Sequence, residues 1–205
     1  MKKKKASKNW ALKNNKDYYY RESKAQGFRS RSAFKLIEIN KKFKFIKKNH
    51  NLLDLGSSPG GWSQVARKII VTGKIMSVDL IKMVPINNVH FVQGNFSDPK
   101  IYNEIYEYFK KKIDIVISDM AANTTGNKTL DSYRTGELCL NAIKLSRSIL
   151  SKDGIFVSKV FMGSSFDEII EKSKKNFRNI RHFKPKSSKK ESKEIYIICK
   201  GVLKI

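Results

Sequence analysis

Acidic residues are scarce in this chain: 18 Asp and Glu stand against 43 Lys and Arg in 205 residues, a formal net charge of +25. So one-sided a balance excludes an ordinary metabolic enzyme as the first reading and points to a polyanionic partner. Cysteine is nearly absent. Cys139 and Cys199 stand far apart with no CxxC, which argues against a disulfide framework and a cysteine zinc site and fits a reducing compartment. His50, His90 and His182 are scattered, so no histidine metal site is expected. No apolar run approaches the roughly 20 residues needed to cross a bilayer. No apolar segment near the N-terminus has the form of a secretory signal. No exposed apolar stripe stands out either, so the expectation is a monomer with no membrane partner.

The charge that is present is unevenly placed. Residues 1–50 carry 17 basic and 3 acidic side chains, residues 51–171 carry 14 and 13, and residues 172–205 carry 12 and 2. A near-neutral middle is bracketed by two basic ends. The length fits one domain with a real core. A 40% hydrophobic and 11% aromatic content keeps the chain out of the disordered class its charge alone would suggest. Met1–Lys8 is a lysine-rich run with nothing to bury, so residues 1–16 read as a mobile basic arm and 17–205 as a single domain.

From Asp17 to Phe45 the pattern is helical, with Phe34, Ile37 and Lys41 on one stripe and Ser32 placed to cap Ala33–Phe43. Short apolar runs then alternate with helical patterns. Strands are expected at Asn51–Leu55, Lys74–Leu80, His90–Val92, Ile113–Ser118 and Gly154–Phe161. Helices are expected at Gly60–Ile70, Pro99–Lys111, Leu130–Leu150 and Phe166–Phe177. Two last strands, Ile180–Phe183 and Ile195–Cys199, are separated only by the polar stretch Lys184–Lys193. Alternation of this kind implies an α/β fold, a mostly parallel sheet with helices on both faces. Without a crossover helix the last two strands should form an antiparallel hairpin. A seven-stranded sheet of that form resembles the Rossmann-like S-adenosylmethionine-dependent methyltransferase fold.

The expected first strand runs into Gly56-Ser57-Ser58-Pro59-Gly60-Gly61-Trp62. A glycine-rich turn there lies at the carboxyl edge of the sheet, where ligands bind. Its G-x-x-x-G-G spacing is not the dinucleotide fingerprint, nor does it end as a P-loop does. A tight turn of any α/β protein would look similar. Asp79, followed by Leu80, ends the second strand, where a carboxylate accepts from both ribose hydroxyls of an adenosine or else caps a turn. Asn95, followed by Phe96, ends the third, where an amide reads an adenine edge or simply makes a turn. The three together describe an adenosine site more specifically than any one of them.

Strand four ends in Ser118-Asp119-Met120, and strand five carries Lys159 among apolar neighbours. Buried lysines are rare, and desolvation favours the neutral amine that acts as a base. A strand-end lysine with its head in water is the bland alternative. Asp119, on the adjacent strand, would orient Lys159 and interact with a cationic sulfonium; the same contact would keep Lys159 protonated, so the pair needs tuning by substrate and cofactor. With these residues the sequence resembles the FtsJ/RrmJ-type ribosomal RNA 2′-O-ribose methyltransferases. The matching positions are Lys35 in Arg31-Ser32-Ala33-Phe34-Lys35-Leu36, Asp119, Lys159 in Val157-Ser158-Lys159-Val160-Phe161, and Glu194 in Glu191-Ser192-Lys193-Glu194-Ile195-Tyr196. The similarity runs from about Tyr20 to Gly201 and is densest at Gly27–Leu36, Asp54–Gln64 and Lys184–Tyr196. Taken alone, Lys35 reads as one solvated lysine among many and Glu194 as a surface ion pair. The resemblance makes Lys35, Asp119, Lys159 and Glu194 a catalytic tetrad with Lys159 as the base for the ribose hydroxyl. It makes Gly56, Pro59, Gly60, Gly61, Trp62, Asp79, Leu80, Asn95, Phe96 and Asp119 the binding residues for S-adenosyl-L-methionine.

Three departures from the family pattern stand out. Asn95 replaces a common Asp, Ala122 replaces a common Pro, and Lys186–Lys193 carries lysines where arginines are usual, which keeps charge but loses bidentate phosphate contacts. The resemblance implies RNA as partner, either large-subunit rRNA or a ribosomal particle. tRNA, modified by a sister branch at the anticodon loop, is the alternative. The Asp54-Leu55-Gly56 and Ser118-Asp119-Met120 runs are more similar to the ribosomal branch, whose target is a uridine and which has mitochondrial members. The expected compartment is intracellular: a ribosome-containing organelle such as the mitochondrion in a eukaryote, the cytoplasm in a bacterium. A catalytically silent RNA-binding protein is disfavoured by the intact tetrad. A nicotinamide-dependent oxidoreductase is disfavoured by the glycine spacing and the charge.

Overall fold

A computed structural model describes residues 17–122 and 125–203; the expected arm at 1–16 lies outside them. Seven strands form one sheet in the order β3-β2-β1-β4-β5-β7-β6. They are β1 Leu52–Leu55, β2 Ile75–Asp79, β3 His90–Gln93, β4 Ile113–Ser118, β5 Leu150–Phe161, β6 Phe177–Phe183 and β7 Glu194–Val202. The first five run parallel. β7 pairs antiparallel with both β5 and β6, which is the hairpin expected from the missing crossover helix. Six described helices, α1 Tyr18–Ala25, α2 Ala33–Phe43, α3 Gly61–Ile69, α4 Pro99–Phe109, α5 Lys128–Ile149 and α6 Phe166–Asn176, accompany it. None is long and apolar enough to cross a membrane. Among the described residues no group of three or more His, Cys, Asp or Glu is placed to hold a metal ion.

Side-chain alternation along the strands sorts the core into two layers. Leu53 and Leu55 of β1 face α4, α5 and α6, packing with Ile105, Ala142 and Ile169. Leu52 faces the other way, toward α2 and α3, with Leu36, Ile39, Trp62 and Ala66. Both faces being covered explains why all four residues of β1 are buried. Cys139 and Cys199 are free, buried thiols, and burial pushes each up to about 12.

Several boundaries differ from the sequence expectation. The helical pattern Asp17–Phe45 is two helices broken at Gln26–Ser32, where Gly27 takes a φ of +68°. Ser32 does not cap α2: its backbone is itself helical, and its Oγ lies 2.7 Å from Ser30 Oγ. The N–H groups of Ala33, Phe34 and Lys35 instead reach back three residues to the carbonyls of Ser30, Arg31 and Ser32. The buried stripe of α2 is Ala33, Leu36 and Ile39, while Lys41 is exposed. β5 begins at Leu150, not Gly154, because the ladder pairs Ile113 with Leu150 and then shifts register to pair Ile115 with Ile155. β6 and β7 extend to a Phe177–Val202 pair beyond the expected limits.

Candidate active site

The carboxyl ends of β1 to β4 enclose a cavity of about 390 Å³, within the range of small-molecule sites. Gly56, Asp79, Leu80, Asn95, Phe96 and Asp119 line it, together with Ile81, Met120, Ala121 and Leu138, which sequence reasoning did not single out. Gly56 has φ +71°, and a Cβ there would stand 2.2 Å from Met120 Cγ. Any side chain at this turn would collide with the residue after Asp119, so glycine shapes the cavity floor.

Asp79 caps the turns beside it. Its Oδ2 accepts from Ser58 N at 2.8 Å and its Oδ1 from Ile81 N at 2.7 Å. Each carboxylate oxygen keeps a further lone pair for a hydroxyl donor. Asn95 Oδ1 accepts from Ser97 N at 3.0 Å, a turn contact that leaves its amide N–H₂ and one lone pair exposed. Phe96 supplies a buried apolar wall. These groups fit an adenosine: a bidentate acceptor for a ribose, a polar edge and an apolar surface for a base.

Pro59, Gly60, Gly61 and Trp62 do not line this cavity. They form the turn into α3 and pack against residues 29–32. A Cβ at Gly61 would stand 2.2 Å from Ser30 Oγ, and Trp62 Nε1 donates to Ser32 O at 2.8 Å. Arg29 ties this turn to the segment after β2. Its guanidinium donates to the carbonyls of Pro59 at 3.3 Å and Pro85 at 2.7 Å, and also to that of Val84.

Asp119 borders a second set of groups. Lys159 Nζ lies 3.2 Å from Asp119 Oδ1 and donates to the Asp119 backbone carbonyl at 2.7 Å. Lys35 Nζ meets Glu194 Oε1 at 2.7 Å. Tyr196 joins the two pairs: its hydroxyl donates to Asp119 Oδ1 at 2.6 Å, and Lys35 Nζ lies 5.7 Å from its ring centroid. Strand register explains the assembly. Lys159 is directly opposite Tyr196, and Phe161 opposite Glu194, so Lys159, Tyr196 and Glu194 share the sheet face that α2 covers. Trp62 packs against Tyr196 with ring centroids 5.6 Å apart.

The electrostatics are strongly coupled. Burial pushes the Asp119 carboxyl up, but Lys159, then Lys35, and the hydrogen bonds from Tyr196 and Lys159 hold it below the usual carboxylate value. Burial, followed by the negative charge of Asp119 and Glu194, raises the Tyr196 phenol well above 10.0, so it stays a donor. Tyr196 lies in the Glu191–Tyr196 motif, and the sequence alone assigns it no role. Its i, i+2 relation to Glu194 on a strand was the available signal. A third carboxyl, Asp54, sits at 1% exposure behind the first turn. It accepts from Ser63 Oγ at 2.5 Å, and its Oδ1 has no partner. Burial pushes it up to about 7, with the charges of Asp119 and Asp79 adding to the effect.

The two basic ends meet at α2. Glu38 accepts from the backbone N–H groups of Lys186 at 2.6 Å and Ser187 at 2.9 Å. Arg31 bridges Asp17, at 2.5 Å, and the carbonyl of Ser187. The segment before β7 is thereby fastened over the helix that carries Lys35.

Comparison with known proteins shows what the chain is similar to. The model of the FtsJ-like methyltransferases matches residues 28–202. Ribosomal RNA large subunit methyltransferase E of Pelagibacter ubique is 50% identical over 98% of both chains. The protein of that name from Rickettsia akari is 42% identical over 95% of this chain and 88% of its own. Among solved structures, a Plasmodium falciparum protein described provisionally as a ribosomal RNA methyltransferase superposes with a TM-score of 0.77. It is 34% identical and covers 87% of this chain and 100% of its own.

Proposed function

The chain belongs to the FtsJ-like methyltransferase family, and from that premise we propose that it transfers a methyl group from S-adenosylmethionine to the 2′-hydroxyl of a uridine in large-subunit ribosomal RNA. The observation that carries this reading is the shared position of Asp119, which lines the cofactor cavity and pairs with Lys159. This supports a methyl donor and a base acting as neighbours at one sheet edge.

Bound S-adenosylmethionine supplies a methyl group on a positively charged sulfur. Asp79 would hold its ribose hydroxyls, Asn95 and Phe96 its base, and Asp119 would face the cationic end. A hydroxyl is a poor nucleophile, so removing its proton in the transition state matters. Having first released one proton to solvent as substrate and a cationic cofactor loosen its pair with Asp119, Lys159 would take the proton of the ribose 2′-hydroxyl on the freed lone pair of Nζ. Asp119 engages that nitrogen through both its carboxylate and its carbonyl, which fixes where Nζ points. Lys35 and Glu194 would orient the hydroxyl, and Tyr196 keeps the Asp119 carboxylate in place. The bacterial relatives favour the cytoplasm of a bacterium over an organelle.

The test is to incubate the protein and its Lys159→Ala variant with labelled cofactor and, separately, tRNA, naked rRNA and ribosomal particles, and then to map the methylated ribose. Label in a large-subunit uridine, lost in the variant, is the expected result. Label in tRNA would replace rRNA as the substrate. No label in any RNA would leave a silent binder on a methyltransferase fold.

A further inference from the structure

A second, smaller cavity of about 150 Å³ adjoins the Lys35–Glu194 pair, lined by Arg31, Ser32, Lys35, Lys189, Ser192 and Glu194. It is below the size of pockets that enclose a drug-sized ligand. Its walls are mostly donors: a guanidinium, two ammonium groups and two hydroxyls against one carboxylate. That carboxylate is already paired with Lys35. Lys189 is exposed and makes no ion pair among the described residues.

The cavity is built without a ligand. Glu38 fixes Lys186 and Ser187 through their backbone, and Arg31 is held from two sides by Asp17 and Ser187. Arg31 Nε is buried with no acceptor. That nitrogen is screened from solvent, so what the wall offers an anion is the Arg31 guanidinium charge together with the Lys35 and Lys189 ammonium groups.

We propose that this cavity takes one backbone phosphate of the RNA strand, the one adjoining the ribose that is methylated. The inference rests on the RNA reading above and adds a site to it. A phosphate lies within one nucleotide of its own ribose hydroxyl. Lys35 and Glu194 form a wall of the cavity and are also proposed to orient that hydroxyl, so the two sites share one ion pair. Phosphate contacts position a strand without reading its bases. The cavity would therefore set the register of the strand and bring one 2′-hydroxyl to Lys159, the kind of positioning on which in-line transfer depends.

The test compares Lys189→Ala with Lys190→Ala. Both remove an exposed lysine, but only Lys189 lines the cavity. Binding of a single-stranded uridine-containing RNA is followed by fluorescence anisotropy over a salt series, with a native backbone and with one neutral methylphosphonate walked along it. One linkage should stand out, its neutralisation weakening wild-type binding about tenfold. That sensitivity should vanish in Lys189→Ala, survive in Lys190→Ala and shrink in Ser192→Ala. Equal losses for the two lysines with no privileged linkage would overturn the proposal, because the charge would then act as a diffuse field. RNA that does not bind at all overturns it too. Methyl transfer to rRNA by the wild type is scored separately. Failure of the rRNA reading appears as absent methylation, and failure of the phosphate site as methylation without a privileged linkage.

Discussion

The proposed cofactor side and the proposed substrate side of this crevice are assembled in opposite ways. Gly56, Asp79, Asn95 and Asp119 each follow or end the strand that places them, and those strands are neighbours in the order β3-β2-β1-β4. Their positions depend on local turns at one sheet edge. Lys35 and Glu194 come from the two basic ends of the chain and touch only because α2 packs over β7. Local signals can build a nucleotide site in an α/β sheet, because every parallel strand delivers its end to the same edge. The proposed base and its orienting groups need long-range register, carried by the Lys159–Tyr196 strand pair and the Glu38 and Arg31 contacts.

Variants that damage one side and spare the other would sharpen this contrast. The largest effect is expected for Lys159→Ala: loss of the proposed general base should slow methyl transfer about 10²- to 10⁴-fold. Calorimetric affinity for S-adenosylmethionine should stay within a few-fold. A parallel loss of affinity would break the division between the sides. Asp79→Ala is the mirror case. Removing charge-assisted hydrogen bonds should weaken cofactor binding by about ten- to a hundredfold, while saturating cofactor restores most of the turnover. Unchanged affinity would remove Asp79 from the ribose.

Tyr196→Phe deletes only the hydroxyl that donates to Asp119 at 2.6 Å. Turnover should fall by about tenfold, the size of one charge-assisted bond, with the ring packing against Trp62 retained. A Tm lowered by many degrees with normal turnover would make Tyr196 purely structural. The smallest effect on turnover is expected for Asp54→Asn, whose readout is stability against pH. Folding raises the Asp54 carboxyl from 3.8 to about 7. Between those values the folded state holds more protons than the unfolded one, so this group makes stability fall as pH rises from about 4 to about 7. Chemical denaturation across that window should show the slope in the wild type and a flatter profile in Asp54→Asn.

Much of the fold is legible in the chain. Apolar runs such as Leu52–Leu55 and Ile113–Ser118 are strands where expected, and the polar stretch Lys184–Lys193 correctly signals a hairpin without a crossover helix. The misreadings share one cause: a local preference yields to a tertiary contact. Ser32 favours a cap by residue type, yet its hydroxyl is engaged with Ser30 and its carbonyl with Trp62. Gly154 looks like the start of β5, but pairing with β4 recruits Leu150 as well. Trp62, in the same glycine-rich turn, is a matter of placement: its ring packs against Tyr196.

Composition and periodicity alone determined the α/β alternation, the strand-end order of Gly56, Asp79 and Asn95, and the basic ends that point to a polyanion. These follow from hydrophobic pattern and charge, which need no knowledge of what packs where. Only the tertiary structure decided that Lys35 meets Glu194, that Tyr196 bridges Lys35 and Asp119, and that Asp54 is buried with an unpartnered oxygen. Contacts between elements far apart in the chain depend on sheet register and helix packing. No local spacing encodes either.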